Sequence, residues 1–117
     1  MALIHSERGE REKARRRYIQ AVLRDSNFAP AYHNLGNLQL RQGRLREAMG
    51  LFRRALRADS TYVIAYRSLG NSYMRLKQVS AAVETFEHGL RHAPGNEDLQ
   101  NRARIAREIL ADLERAR

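Results

Sequence analysis

The chain has 117 residues, of which 43% are hydrophobic and 30% are charged, and its formal net charge at pH 7 is +9. This hydrophobic content is sufficient for the core of one domain, which argues against intrinsic disorder. The lack of cysteine excludes a disulfide framework and thiolate chemistry, and no apolar run approaches the ~20 residues that span a bilayer. Because no signal peptide is visible either, the chain is predicted to be cytoplasmic.

The N-terminal half divides into residues 1–28 and residues 29–62. Residues 1–28 are predicted to contain mainly one helix, preceded by a helix end near Gly9. Residues 29–62 are predicted to form two helices, and the first ends near Gly43 because glycine can take the left-handed conformation that closes a helix. The second runs from about Leu45 to Ala58, with an apolar stripe at Leu45, Ala48, Leu51, Phe52, Ala55 and Leu56.

Residues 63–96 repeat the pattern of residues 29–62 at a spacing of 34 positions. The recurring pairs include Tyr32 and Tyr66, Gly36 and Gly70, Ala48 and Ala82, and Phe52 and Phe86. Self-similarity at a fixed period of this size is typical of a helical solenoid. The recurring glycines and alanines are expected to let paired helices approach closely while the aromatic side chains fill the space between them. Asn27, Thr61 and Asn96 precede predicted helices and are interpreted as N-caps.

Residues 97–117 begin in register with the repeat but lose its pattern at once. Their apolar positions still recur at helical spacing, at Leu99, Ala103, Ala106, Ile109, Leu110 and Leu113. One apolar face and one polar face predict a single helix that caps the array. The charges of this segment cancel, so the excess of +9 lies in the repeats.

The motif Tyr-x-x-Leu-Gly followed by Ala-x-x-x-Phe at this period resembles the tetratricopeptide repeat. The third segment matches at Tyr66, Leu69, Gly70, Tyr73, Ala82, Phe86 and Pro94, and the second at Tyr32, Leu35, Gly36, Ala48, Phe52 and Ala55. The resemblance implies an all-α, right-handed α-solenoid of antiparallel helix hairpins. Residues 1–28 would be a partial first unit (mainly its second helix), residues 29–62 and 63–96 two full units, and residues 97–117 the capping helix. Because the first unit is incomplete, we expect a chain trimmed from a longer repeat protein.

The sequence departs from the family pattern at several positions. Gln39 and Ser60 stand where an aromatic residue and proline are usual, and Lys77 stands where glycine is expected. Gly89 stands where alanine is expected. The substitutions at Lys77 and Gly89 are each predicted to cost on the order of 1 kcal/mol.

The resemblance implies a non-catalytic scaffold that binds a peptide or helix in a concave groove lined by the first helix of each unit. Carried over position by position, the partner-binding residues would be His33, Asn34, Asn37, Arg41, Arg67, Ser68, Asn71, Arg75 and Arg102. Amides can bind the backbone of an extended peptide, and arginine can bind a carboxylate with two parallel hydrogen bonds. The implied partner is therefore a protein or peptide ligand with acidic character. For any single one of these residues, simple solvation is an equally good interpretation.

One subtype of the family binds the C-terminal carboxylate of chaperone tails with two lysines, two asparagines and an arginine. Only Asn37 and Arg102 fall at matching positions. His33 and Ser68 do not match, and Asp98 would bring a negative charge where a cation is needed. This subtype is not favoured.

Two other functions remain open. Leu3, Ile4, Ile19 and Leu23 could mediate self-association, the first two beside an incomplete unit and the others on an outward face. A basic outer surface could contact an acidic protein or nucleic acid through Arg15, Arg16, Arg17, Arg46, Arg53, Arg54 and Arg57. Nucleic acid is the less favoured partner because no exposed aromatic set accompanies these arginines. An arginine-rich solvated surface remains the simplest interpretation.

The sequence contains no motif for catalysis. His88 and His92 lie four residues apart and could share a metal, but no third ligand is evident and a solvated pair is the simpler interpretation. There is no glycine-rich phosphate loop and no nucleophile motif. We therefore predict no enzymatic activity, no metal and no cofactor.

Overall fold

The computed structural model describes the backbone of residues 2–117 and the side chains of residues 7–117. Six α-helices make up this part of the chain, and it contains no strand. They are α1 (Ala2–Arg24), α2 (Ala29–Arg41), α3 (Leu45–Ala58), α4 (Val63–Arg75), α5 (Val79–His92) and α6 (Glu97–Arg115). The prediction of an all-α helical-repeat fold is confirmed, as are the bounds of α3. The division of the chain into repeat units stays a prediction, although α2, α4 and α6 begin at the predicted positions.

The helices form two compact units, which differ from the predicted repeat units. They are named the first unit and the second unit in chain order. The first unit ends at Ser60 and contains α1, α2 and α3. In it, α2 packs against α3, and α1 packs against α2. The second unit, Thr61–Arg117, contains α4, α5 and α6. Here α4 packs against α5, and α6 packs against α5.

In the first unit, α2 and α3 meet where a phenylalanine ring lies against a glycine. A Cβ atom placed on Gly36 would lie 2.5 Å from Cε1 of Phe52. Phe52 is fully buried, and so are Ala48 and Ala55 on the same helix. The predicted role of these small residues is therefore confirmed, since any side chain at Gly36 would occupy the space of the Phe52 ring.

The second unit repeats this contact between α4 and α5. A Cβ atom on Gly70 would lie 2.6 Å from Cδ1 of Phe86. Phe86 and Ala82 belong to a buried core cluster that α6 completes with Leu99, Ala103 and Ala106. The predicted capping helix thus supplies part of the core of this unit.

The structure explains why glycine stands at position 89, where the family pattern has alanine. A Cβ atom at this position would lie 2.9 Å from Cδ1 of Leu99 and 2.9 Å from Cβ of Tyr66. Leu99 of α6 and Tyr66 of α4 both approach α5 at this point. The glycine leaves room for α6 to pack, which offsets its poor helix propensity.

The predicted helix end near Gly9 is wrong, because α1 continues through this residue. Gly43 is the only glycine with positive φ in the described part of the chain, so Gly9 does not form the corresponding turn. Its neighbours Arg8, Glu10 and Arg11 are good helix formers. Arg11 also stands where the next repeat has the apolar Leu45, so little apolar burial would reward a second, separate helix.

Only one of the three predicted N-caps is found. The Asn96 side chain accepts a hydrogen bond from the Leu99 N–H at 3.0 Å, as expected for the first turn of α6. The N-cap residues of α2 and α4 are instead Phe28 and Tyr62, neither of which makes a side-chain cap hydrogen bond. Asn27 and Thr61 lie one residue too early for this role.

The apolar stripe of α6 is buried over only part of its predicted length. Leu99, Ala103 and Ala106 are buried, but Ile109 is 37% exposed and Leu113 is 51% exposed. The last part of the stripe is therefore less buried than its start.

Replacing Gly70 by alanine should lower the free energy of unfolding by about 1–3 kcal/mol, because the new methyl group would overlap the Phe86 ring. Gly50 is the matched control, since it lies within α3 and a Cβ there meets nothing within 4 Å. Gly50→Ala should instead raise the stability by about 0.5–1 kcal/mol through helix propensity. Urea unfolding followed by circular dichroism measures both changes, and equal effects at the two glycines would contradict the role of the contact.

Lys77 adopts a left-handed backbone conformation, with φ of 61°, at the turn between α4 and α5. Gly43 makes the corresponding turn between α2 and α3 with φ of 78°. Lys77→Gly should raise the free energy of unfolding by about 0.5–1 kcal/mol, because it removes the strain of a side chain in this conformation. Gly43→Ala should instead lower the free energy of unfolding. Thermal unfolding of both variants checks this pair of expectations.

Candidate peptide-binding surface

In the first unit, the four predicted partner-binding residues of α2 differ in exposure. His33 was expected to be exposed, but it is only 6% exposed and its ring centroid lies 5.3 Å from that of Phe52. This expectation is wrong because His33 precedes Gly36 by three residues and so shares the face of α2 that packs against α3. Asn34 and Asn37 are half-buried, and Arg41 is exposed.

In the second unit, the predicted residues come from α4 and α6. Arg67 and Arg75 of α4 are exposed, and Ser68 and Asn71 are half-buried. Arg102 of α6 is half-buried beside them. The resemblance to the family predicted that Arg102 lies in one groove with residues of α4. In the structure, the Arg102 side chain donates a hydrogen bond to Asn71 and so joins α6 to α4.

Arg102 is held by two partners of different kinds. Its Nε donates to Oδ2 of Asp98 at 2.9 Å, and its Nη1 donates to Oδ1 of Asn71 at 3.0 Å. Arg67 contributes a second cation, with its Nη1 3.9 Å from the same Asp98 oxygen. Asp98, which was expected to conflict with a bound carboxylate, is therefore already paired with two arginines.

A depression of about 230 Å³ lies beside this network. It is lined by Asn71, Met74, Phe86, Arg102 and Ile105. Phe86 is buried, whereas Ile105 is 47% exposed. Met74 and Ile105 were missed as site residues, although each follows a predicted polar residue by three positions and so shares its helix face.

Hydrogen-bonding capacity remains on both polar residues of this depression. Because the oxygen of the Asn71 amide accepts from Arg102, its two N–H donors face no described acceptor. Arg102 uses two of its five N–H donors within the protein. Remaining donors on half-buried side chains beside an apolar floor suit the carbonyl oxygens and side chains of an extended chain.

The two histidines considered for metal binding contact an aromatic ring. His92 stacks against Tyr66 with centroids 5.7 Å apart, and His88 meets the same ring edge-on at 6.5 Å. Within the described residues, no cluster of three or more His, Cys, Asp or Glu could hold a metal ion.

Burial raises the pKa of the Tyr62 phenol above its ordinary value of 10.0, which keeps that group neutral.

The residues of the two alternative functions are placed as follows. Leu23 is 80% exposed and Ile19 is half-buried, while the side chains of Leu3 and Ile4 lie outside the described residues. The seven arginines of the predicted outer surface are all exposed. None of the described helices combines the length and apolar character needed to cross a bilayer.

The family model of the tetratricopeptide repeat matches residues 1–63 and 33–97. The chain belongs to the tetratricopeptide repeat family. The match spans all four helices that carry the recurring motif, so the resemblance stated from the motif is confirmed. No curated protein sequence matches this tetratricopeptide repeat chain.

Solved structures of tetratricopeptide repeat domains share the fold. The first such domain of Spaghetti (RPAP3), bound to the HSP90 peptide SRMEEVD, has a TM-score of 0.77 at 20% identity, over 92% of this chain and 87% of that one. The second domain of human RPAP3, in complex with the HSP70 peptide SGPTIEEVD, has a TM-score of 0.71 at 23% identity, over 86% and 84%. YrrB, described as having an unusual peptide-binding site, has a TM-score of 0.70 at 29% identity, over 83% of this chain and 48% of that one.

Proposed function

We propose that this protein is a non-catalytic adaptor that binds an extended segment of a partner protein on the surface formed by α4 and α6 of the second unit. The observation that carries the proposal is the network of Arg102, Asn71 and Asp98 beside an apolar depression. It combines free amide and guanidinium donors with apolar surface in one place. A peptide-binding site needs this combination, because backbone carbonyls require donors and side chains supply the apolar contact area.

The chemistry of the depression suggests what the partner segment contains. Met74 and Ile105 offer adaptable apolar surface to one aliphatic or aromatic side chain. Arg67 and Arg75 are exposed on the same helix as Asn71. Arg67 is close to Asp98, whereas Arg75 forms no salt bridge with a described residue and therefore favours an acidic residue in the partner segment.

The peptide complexes of the two RPAP3 domains support this class of partner. The carboxylate-binding subtype is not part of the proposal. Asp98 already accepts from Arg102 and lies near Arg67, so it offsets part of the positive charge that would bind a terminal carboxylate. His33 is buried against Phe52 and is not available as the missing cation.

The Asn71→Ala variant should lose at least roughly tenfold in affinity for its peptides, because the amide that donates to the peptide and accepts from Arg102 is removed. Peptides are first selected from a random library on the wild-type protein, and their dissociation constants are then measured by fluorescence anisotropy. Asn101→Ala is the matched control, since Asn101 is an exposed amide on α6 outside the depression.

The fold should persist in all these variants because the replaced side chains are at most half-buried. Circular dichroism verifies this before affinities are compared. Undiminished binding to Asn71→Ala would show that the surface of α4 and α6 is not the recognition surface.

The peptide SRMEEVD should bind no better than a scrambled peptide of the same composition, because Asp98 opposes its terminal carboxylate. Isothermal titration calorimetry at low and moderate salt measures both peptides. A clear preference for the intact sequence, lost when the C-terminus is amidated, would contradict the argument from Asp98 and restore the carboxylate-binding subtype.

A further inference from the structure

Two arginines of α3 carry positive charge without a compensating carboxylate. Arg54 and Arg57 are exposed and one helical turn apart, and neither forms a salt bridge with a described residue. In the second unit, by contrast, Arg102, Arg104 and Arg107 are each paired. Up to Ser60 the sequence has 13 Lys and Arg against 6 Asp and Glu, a formal charge of +7 out of +9. Free cations on a fixed helix are available for an anionic ligand.

Arg54 is oriented by an aromatic ring beneath it. Its guanidinium carbon lies 5.2 Å from the centroid of the Tyr32 ring. Tyr32 is 8% exposed and belongs to the core, so it forms a rigid support. Stacking on the ring restricts the guanidinium while leaving its N–H donors free at the edge.

A depression of about 180 Å³ lies beside this stacked pair. It is lined by Ser26, Asn27, Tyr32, Arg54, Arg57 and Ala58. Its polar groups include two guanidiniums, a hydroxyl and an amide, and no carboxylate is among the lining residues. The loop that carries Ser26 and Asn27 is fixed by a hydrogen bond of 2.9 Å from the Asn27 N–H to Oδ1 of Asp25. The depression therefore presents mainly donors.

The donors come from side chains and not from the start of α2. The N–H of Ala29 donates to the Asn27 carbonyl at 3.0 Å, and that of Ala31 donates to the Phe28 carbonyl at 3.2 Å. Pro30 has no N–H. Recognition of an anion here thus depends on Arg54 and Arg57.

We infer that this depression, which is separate from the proposed peptide site, binds a phosphate monoester on a protein partner. Two guanidiniums match the charge and the several oxygens of a phosphate dianion, whereas one carboxylate would satisfy fewer of the donors. Asp25 and Asp59 lie in the adjoining segments of chain. Their charges oppose a broad anionic surface such as a bilayer more than a single phosphate in contact with the arginines.

The next repeat offers a natural comparison. Thirty-four positions later, His88 replaces Arg54, and Tyr66 is contacted by His88 and His92. Arg57 corresponds to Arg91, which is also exposed. Arg91 therefore provides a matched arginine that lacks a stacked arginine neighbour.

The test measures binding of inorganic phosphate, and of a short peptide containing serine or phosphoserine, to the ¹⁵N-labelled protein at constant ionic strength. In the wild type, phosphate should shift the amide signals of Ser26 and Asn27 saturably, and the phosphoserine peptide should bind while its serine form does not. Arg57→Ala should weaken both by roughly tenfold or more. Arg54→Lys should also weaken them, because lysine lacks the planar fork. Arg91→Ala should leave both unchanged.

Two results would overturn the inference. Shifts that do not saturate, or that fall equally in Arg57→Ala and Arg91→Ala, would indicate counterion screening only. Tighter binding to vesicles containing phosphatidic acid than to the phosphoserine peptide would assign the surface to lipid. The Asn71→Ala variant should bind phosphate normally, so failure of the peptide site and failure of this site are distinguishable.

Discussion

The contact between a phenylalanine ring and the backbone of a facing glycine determines how close the paired helices come. Phe52 meets Gly36 in the first unit and Phe86 meets Gly70 in the second, with no room for a methyl group at either glycine. Dispersion contacts of this kind depend steeply on distance, so a shift of less than 1 Å would forfeit much of their attraction. The alanines around each ring remove side chains that would otherwise hold the helices apart.

Features that depend on local spacing could be read from the sequence. The glycine notches, the bounds of α3 and the start of α6 follow from periodicity and residue size, and all agree with the structure. The predictions failed where the outcome depends on the wider context. Gly9 resembles Gly43 by position, but the neighbours that would reward a turn are absent. The burial of His33 was missed because its exposure was carried over from the groove positions of the family, which do not show that its ring packs against Phe52.

The two surfaces proposed for binding differ in how their arginines are treated. On α6, Arg102 is already joined to Asn71 and Asp98, so its geometry is fixed and its charge is partly neutralised. Such an arrangement favours recognition by shape and hydrogen bonding. On α3, Arg54 is fixed by stacking on Tyr32, which leaves its charge available. That arrangement favours attraction of an anion. The difference between the two surfaces lies in Asp98, which pairs with Arg102.

Gly89 shows that α5 is adapted to the helix that follows it. It occupies the place of Ala55 in the preceding repeat, and Leu99 fills the space that the missing methyl group leaves. Grafting α6 alone onto a consensus hairpin would therefore create a steric conflict. The transferable module is the pair formed by α5 and α6, and protein engineers who place α6 in another array would need to move both together.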